Sequence, residues 1–243
     1  APRSMKMDWD NVGLLCGSRK QVVSKILVAL DPFEGVCEEA AAWGAQLIVT
    51  HHPLIFSGLK KISPDDMVGR AVIKAIKAGI CIYAAHTNAD KVLSGVSGAM
   101  ASRLGLMNVS VLDEDGDGTG LGAVGDLPEP LQVDQMIELV KDKFSVKCLK
   151  SSSPVDGKVS RVAVCGGSGS SLIAAARGAG AQLYITGDVS YHHFFAPEGF
   201  MIMDIGHYES EIEIVDILFS LIKKNFPTFA VRITQNINSN PIY

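Results

Sequence analysis

Short apolar runs alternate with amphipathic stretches along the first hundred residues. "SKILVALDP" (Ser24 to Pro32) is apolar nearly throughout and stops at Asp-Pro, the pattern of a short buried strand. "FEGVCEEAAAW" follows with apolar positions at helical spacing and stops at Gly44. "AQLIVT" then predicts a strand that opens into "HHPLIF". Strand, helix, strand in that order implies a βαβ unit with parallel pairing.

The next helix carries its own punctuation. Ser63 is placed to cap it, Pro64 occupies the first turn, Asp65 and Asp66 favour the positive dipole end, and Gly79 ends the run. Met67, Val68, Ala71, Val72, Ala75 and Ile76 form its apolar stripe. "ICIYAA" predicts a third strand running into "HTNAD", and a further helix covers about Val96 to Leu104. The second half opens with the turn-rich "VSVLDEDGDGTGLGAVGDL", in which short strands are expected, before a helix near "VDQMIELVKDKF".

This pattern then repeats. "GAQLYITGD" from Gly180 answers "GAQLIVTHH" from Gly44, an offset of 136 residues. At the same offset "VSRVAVCGG" answers "SKILVALDP", and "SLIAAARGAG" answers the "CEEAAAWGA" helix. A repeat covering strand, helix and strand predicts two pseudo-symmetric α/β lobes, residues 1–106 and 107–243, with a site in the cleft between them. Each copy is followed by adjacent histidines: His51 and His52 in the first, His192 and His193 in the second.

Composition narrows the class. With 47% hydrophobic and 20% charged residues the chain has enough apolar material for a real core. A net charge of −4 gives no reason to expect nucleic acid or an anionic membrane as a stable partner. No run is long enough to span a bilayer, and "APRSMKMDWDN" has no signal-peptide core. The five cysteines stand singly without C-x-x-C spacing, which predicts reduced thiols in a cytoplasmic protein.

All six histidines, His51, His52, His86, His192, His193 and His207, fall at or just beyond predicted strand ends, where open α/β sheets bind ligands. A lone histidine is usually a satisfied core or surface residue; six at such places point to a site. His86 and Asp90 are four apart, as are His207 and Glu211, so each pair lies on one face if a helix starts there. Imidazole with carboxylate and no thiolate suits zinc, iron or manganese. The candidate ligands exceed the three or four that one catalytic zinc takes, which favours two divalent ions.

"DWDNVGLLCG", "VTHHPLIF", "HTNAD", "GLGAVGDL", "GGSGSSLI", "TGDVSYHHFF" and "DIGHYESE" together resemble the Nif-three-like family, the GTP cyclohydrolase I type 2 homologs. The resemblance runs over nearly the whole chain, in its short form without an inserted middle domain. It also lacks the helix that usually precedes "DWDN". It implies a dinuclear metal site in a ring-shaped homohexamer, with His51, His52, Asp90, His207 and Glu211 as ligands. His86 matches a residue beside the metals, and His192 a site histidine acting as acid or base.

A metal-bound hydroxide would attack a carbonyl, phosphoryl or amidine group of a small-molecule substrate, a nucleotide by the family's name. His192 or His86 would move protons. Asn11 would orient a ligand, its alternative being a buried turn amide, and Gly167, Ser168 and Gly169 offer backbone N–H groups to a phosphate, their alternative a tight turn. The competing functional readings are a non-catalytic metal-binding scaffold and a nucleotide-binding module without metal. "DEDGDG" from Asp113 begins like a calcium loop, but its twelfth position is Val124, so an acidic turn is expected.

Overall fold

The computed structural model describes residues 1–236. In chain order the first strands are β1 (Gly13–Cys16), β2 (Lys25–Ala29), β3 (Leu47–Thr50), β4 (Cys81–Ala84), β5 (Met107–Glu114) and β6 (Gly120–Gln132). They are followed by β7 (Lys150–Ser151), β8 (Lys158–Ser168), β9 (Leu183–Gly187), β10 (Met201–Asp204) and β11 (Ala230–Ile233). The helices are α1 (Glu34–Trp43), α2 (Met67–Lys77), α3 (Thr87–Asp90), α4 (Val96–Arg103), α5 (Val133–Phe144), α6 (Ile173–Gly178), α7 (His207–Glu211) and α8 (Glu213–Asn225). Two compact units divide the chain: Ala1–Ala89 with the residues from Ile214 onward, and Asp90–Glu213.

The first unit holds a sheet in the order β1-β4-β3-β2-β11, parallel except for β1. Its core gathers Leu27, Val36, Cys37, Ile48, Val72 and Ile82, all nearly or fully buried. The second unit holds a sheet in the order β5-β6-β8-β9-β10-β7, with β8, β9 and β10 parallel and the flanking strands antiparallel. Its core includes Val124, Ala163, Tyr184 and Ile202. This is a mixed α/β fold of two lobes, as the alternation of apolar and amphipathic segments implies.

The lobe boundary differs from the expected 106/107. Residues 90–106, with α4, belong to the second unit, where α4 packs on β6 and β8. The C-terminal segment returns to the first, where β11 pairs with β2 from Ala230↔Lys25 to Ile233↔Val28. There it covers the outer edge of β2, whose backbone groups it pairs. Residues 237–243 of the expected second lobe lie outside the described residues.

The repeat is kept to the level of single hydrogen bonds. β2 pairs with β3 at Ile26↔Leu47, and β8 with β9 at Val162↔Leu183, both numbers shifted by 136. The Gln46 side-chain oxygen accepts from the N–H groups of Ser24 and Lys25, at 3.0 Å each. The Gln182 oxygen accepts from those of Ser160 and Arg161, at 3.1 and 2.8 Å. Gly44 and Gly180 both take left-handed φ values, 75° and 74°, where the chain leaves a helix for a strand. "GAQL" therefore encodes a turn and a clamp that ties the starts of neighbouring strands together.

Two local details depart from expectation. Asp66, rather than Ser63, caps α2, its carboxylate accepting from Gly69 N at 2.7 Å. The chain at Ser63 folds over Gly69 instead, so closely that a Cβ there would lie 1.9 Å from Ser63 O. On the same helix the stripe is narrower than predicted, since Met67 and Ile76 are exposed. The turn-rich stretch, read as short strands, makes the long hairpin β5–β6. Its tip is an acidic turn: Gly118 N and Thr119 N donate to Glu114 and Asp117, and Lys91 pairs with Asp115 at 2.8 Å. Pairing of β6 with β8 shifts between Asp126 and Leu131, where Pro128 and Pro130 supply no N–H.

Candidate metal centre

In the first unit the ladder between β2 and β3 runs on past the strand ends. His51 N donates to Ala29 O and His52 N to Leu30 O, at 3.3 and 2.9 Å. Thr50 Oγ1 fastens the turn by donating to His52 O at 2.7 Å. Two consecutive imidazoles are thereby fixed at the carboxyl edge of the sheet. His86 joins them from the end of β4. The three ring centroids are 5.1, 5.2 and 5.6 Å apart, and one nitrogen from each ring lies within 4.8 Å of the others.

Each Nδ1 faces an acceptor. His51 Nδ1 meets Ala85 O at 2.9 Å, His52 Nδ1 meets Asp31 Oδ1 at 2.7 Å, and His86 Nδ1 meets Asp10 Oδ1 at 2.9 Å. A proton on Nδ1 leaves the lone pair on Nε2, so this is the tautomer a metal-binding imidazole adopts. Burial, with the neighbouring His51, pulls the His86 pKa below its ordinary value despite the Asp10 carboxylate. For Asp10 burial acts upward, but hydrogen bonds from His86 and Thr87 outweigh it and hold the carboxyl below its usual range. A neutral imidazole beside an ionised aspartate is what a divalent cation needs. The donor set fits zinc, iron or manganese.

The second unit carries a different constellation. His207 opens α7 just after β10. Its Nδ1 lies 2.7 Å from Asp188 and its Nε2 3.0 Å from the buried Glu211 carboxylate. Asp90 ends α3 and, with Glu211, acts on the buried Cys165 thiol. Burial first, and then these negative charges, push that thiol up to about 12.

The glycine-rich end of β8 serves this constellation. Gly167 has φ of 63°, and a Cβ there would stand 2.2 Å from Glu211 Oε1 and 3.3 Å from His207 Cε1. Its N–H donates to Ser210 Oγ at 2.9 Å, and Gly169 N donates to Thr186 Oγ1 at 3.0 Å. The backbone donors proposed for a phosphate are engaged within the chain, and Ser168 between them is exposed. Asn11 likewise has a partner in its own unit, donating to Ile55 O at 2.6 Å.

Three sequence readings change. His86 takes its carboxylate from Asp10, far away in sequence, because α3 begins only at Thr87 and His86 precedes it. His192 and His193 are not the structural counterparts of His51 and His52. The register of β9 gives that place to Gly187 and Asp188, and the second histidine pair lies on an exposed 3₁₀ turn, Tyr191–Phe194. There His192 packs against Tyr191 and Phe195, with centroids 5.2 and 6.0 Å away. Lastly Asp10, Asp31 and Asp188, which hold imidazoles in place, escaped the sequence reading. Their signal was position: Asp31 and Asp188 each stand one or two residues beyond a strand end.

The whole of residues 1–241 matches the family model Duf34/NIF3 (NGG1p interacting factor 3). The chain belongs to the NIF3/DUF34 family. A protein of Clostridium perfringens named GTP cyclohydrolase 1 type 2 homolog is 38% identical to this NIF3 chain over 218 residues, 87% of this chain and 82% of its own. A Bacillus cereus protein related to NIF3 has the same fold, with a TM-score of 0.91 at 26% identity over 100% of this chain and 95% of that one. A Halalkalibacterium halodurans homolog of the same cyclohydrolase name aligns over 321 positions, longer than this chain, and so carries internal residues that this one lacks. Among the described residues no helix is long and apolar enough to cross a membrane.

Proposed function

We propose that this NIF3-family chain is a metal-dependent hydrolase that takes two divalent ions, zinc, iron or manganese. His51, His52, Asp90, His207 and Glu211 are its ligands, with His86 beside them. The observation that carries this reading is the set of three imidazoles whose Nδ1 atoms all face acceptors, which orients a lone pair on each ring for a cation. A bound ion would lower the pKa of a coordinated water toward ~7 and so supply hydroxide at neutral pH.

The chain's own residues do the rest. Asp31 and Asp10 lock the His52 and His86 rings, and Asp188 does the same for His207. His86, kept neutral by burial, is a proton acceptor poised beside the ligands. His192, an exposed histidine, is the other candidate for moving protons. Gly167 keeps Glu211 in place by having no side chain to displace it.

The substrate in this reading is a small molecule, and the name of the Clostridium perfringens relative makes a purine nucleotide such as GTP the first to try. A cytoplasmic homohexamer completes the proposal. Elemental analysis of the purified chain should find two divalent ions per chain, and the loaded protein should hydrolyse a member of a panel of nucleotides, phosphodiesters and amides. Two bound ions with no turnover on any of them would turn the reading into a metal-binding scaffold. No bound metal after loading would end it.

A further inference from the structure

Beside the imidazole cluster the first unit displays an aromatic pair that folding alone does not explain. Trp9 and Phe56 are 57% and 53% exposed, with ring centroids 5.7 Å apart and planes inclined at 44°. Trp9 also meets His86 edge to face, at 6.2 Å and 73°. A solvent-open indole therefore stands one ring away from the metal-binding imidazoles.

The backbone that carries both rings is also anchored. Lys6 Nζ donates to the carbonyl oxygens of Met7 and Asp10, at 3.1 and 2.8 Å, closing the turn that carries Trp9. Asn11, at the end of that turn, reaches across to Ile55 O, next to Phe56. The Asn11 amide therefore ties the Trp9 turn to the Phe56 loop. A pair of exposed rings in mutual contact on an anchored backbone is preorganised to receive something flat. Lys60 and Lys61, four and five residues beyond Phe56 and both exposed, give that loop a positive charge.

We propose that Trp9 and Phe56 form a stacking platform for the planar heteroaromatic ring of an anionic substrate, delivering that ring to the His86 side of the cluster, with Asn11 as the residue that positions the platform. The inference rests on the reading of that cluster as a reaction centre. Stacking one base on an aromatic side chain is worth about 1–3 kcal/mol by alanine substitution and tolerates any flat ring. The platform therefore selects for a ring and is indifferent to which one, leaving discrimination to other contacts.

The test uses the intact chain carrying Trp43→Phe, which leaves Trp9 as its single tryptophan. GTP, ATP and flavin mononucleotide are titrated against inorganic triphosphate and ribose 5-phosphate while Trp9 fluorescence is followed. Saturable quenching by a ring-bearing anion, with binding about tenfold tighter than its ringless counterpart, is the expected result. In the unmodified background, equilibrium dialysis should show Trp9→Ala losing about that tenfold and Trp9→Phe recovering most of it. This second measurement stands even if the Trp43→Phe chain does not fold.

Equal binding of ringed and ringless anions, or ring binding indifferent to Trp9→Ala, overturns the platform. So does a failure of every ringed compound to bind. Turnover that ignores Trp9 would remove the platform and leave the hydrolase reading intact. Ring binding at Trp9 without turnover on any substrate would do the reverse.

Discussion

At the carboxyl end of β3 the first unit places His51 and His52; at the matching end of β9 the second places Gly187 and Asp188. Up to that point the repeated strand–helix–strand segments are near copies, with the same strand register, the same left-handed glycine and the same glutamine clamp. Beyond it they share little. The first unit gathers imidazoles held by acceptors on their Nδ1 atoms, while the second sets one imidazole between two carboxylates, Asp188 and Glu211. Gly167, at the place corresponding to Asp31, has given up its side chain to make room for Glu211. A duplicated scaffold thus keeps what positions strands and varies what leaves their ends, because strand pairing tolerates little change and the exits bear little of the packing.

The comparison breaks most visibly at the ligands. His51→Ala in one unit and Glu211→Ala in the other should each lower metal affinity by more than about a hundredfold, beyond the usual effect of an outer-shell change, as read by metal titration against a competing chelator. Unchanged affinity in both variants would refute the ligand assignment. Next come the residues that hold the rings. Asp31→Asn and Asp10→Asn in the first unit, and Asp188→Asn in the second, should each weaken metal binding by about 10–100-fold while the chain stays folded.

Gly167→Ala sharpens the difference between the exits. A Cβ at φ of 63° and 2.2 Å from a carboxylate oxygen should cost about 2–3 kcal/mol in urea denaturation. Asp31→Ala at the corresponding place should cost less, since a side chain already fits there. The clamps measure the likeness of the units. Gln46→Ala and Gln182→Ala should each cost about 1–2 kcal/mol, with Gln182 the larger because its bond from Ser160 is partly buried whereas the Ser24 bond to Gln46 is exposed.

The smallest effect is with pH. The His86 pKa is below its ordinary value of 6.5 in the folded chain, so the unfolded chain binds more protons in that range. Stability of the metal-free protein should then fall as pH drops below 6.5, until it passes the folded value. Asp10 acts in the same direction at lower pH: its contribution is present above the ordinary 3.8 and is lost as acid titrates the folded carboxyl. Melts in chelator at stepped pH check this, and His86→Gln should flatten the upper part of the profile.

Much of the scaffold was legible because local rules govern it. The apolar runs of β2, β3 and β4, the stop at Gly44 and the internal repeat all lie within a few residues of their causes. The site was legible in its residue types and less so in its pairings. His86 looked to Asp90 by helical spacing, whereas the folded chain gives it Asp10. The second histidine pair looked equivalent to the first because both follow a copied strand, yet the register assigns that place to Gly187 and Asp188. The α2 cap moved from Ser63 to Asp66 because the backbone around Ser63 is used against Gly69.

By itself the sequence determined the strand–helix–strand repeat, the turns that punctuate it and the concentration of imidazole and carboxylate beyond strand ends, since hydrophobic period and turn chemistry act over short distances. Only the tertiary structure decided which acceptor orients which imidazole, that the glycines at the end of β8 shelter Glu211, and that β11 returns to the edge of β2. Those outcomes depend on strand register and on which segments meet across long stretches of chain, quantities that no local pattern encodes.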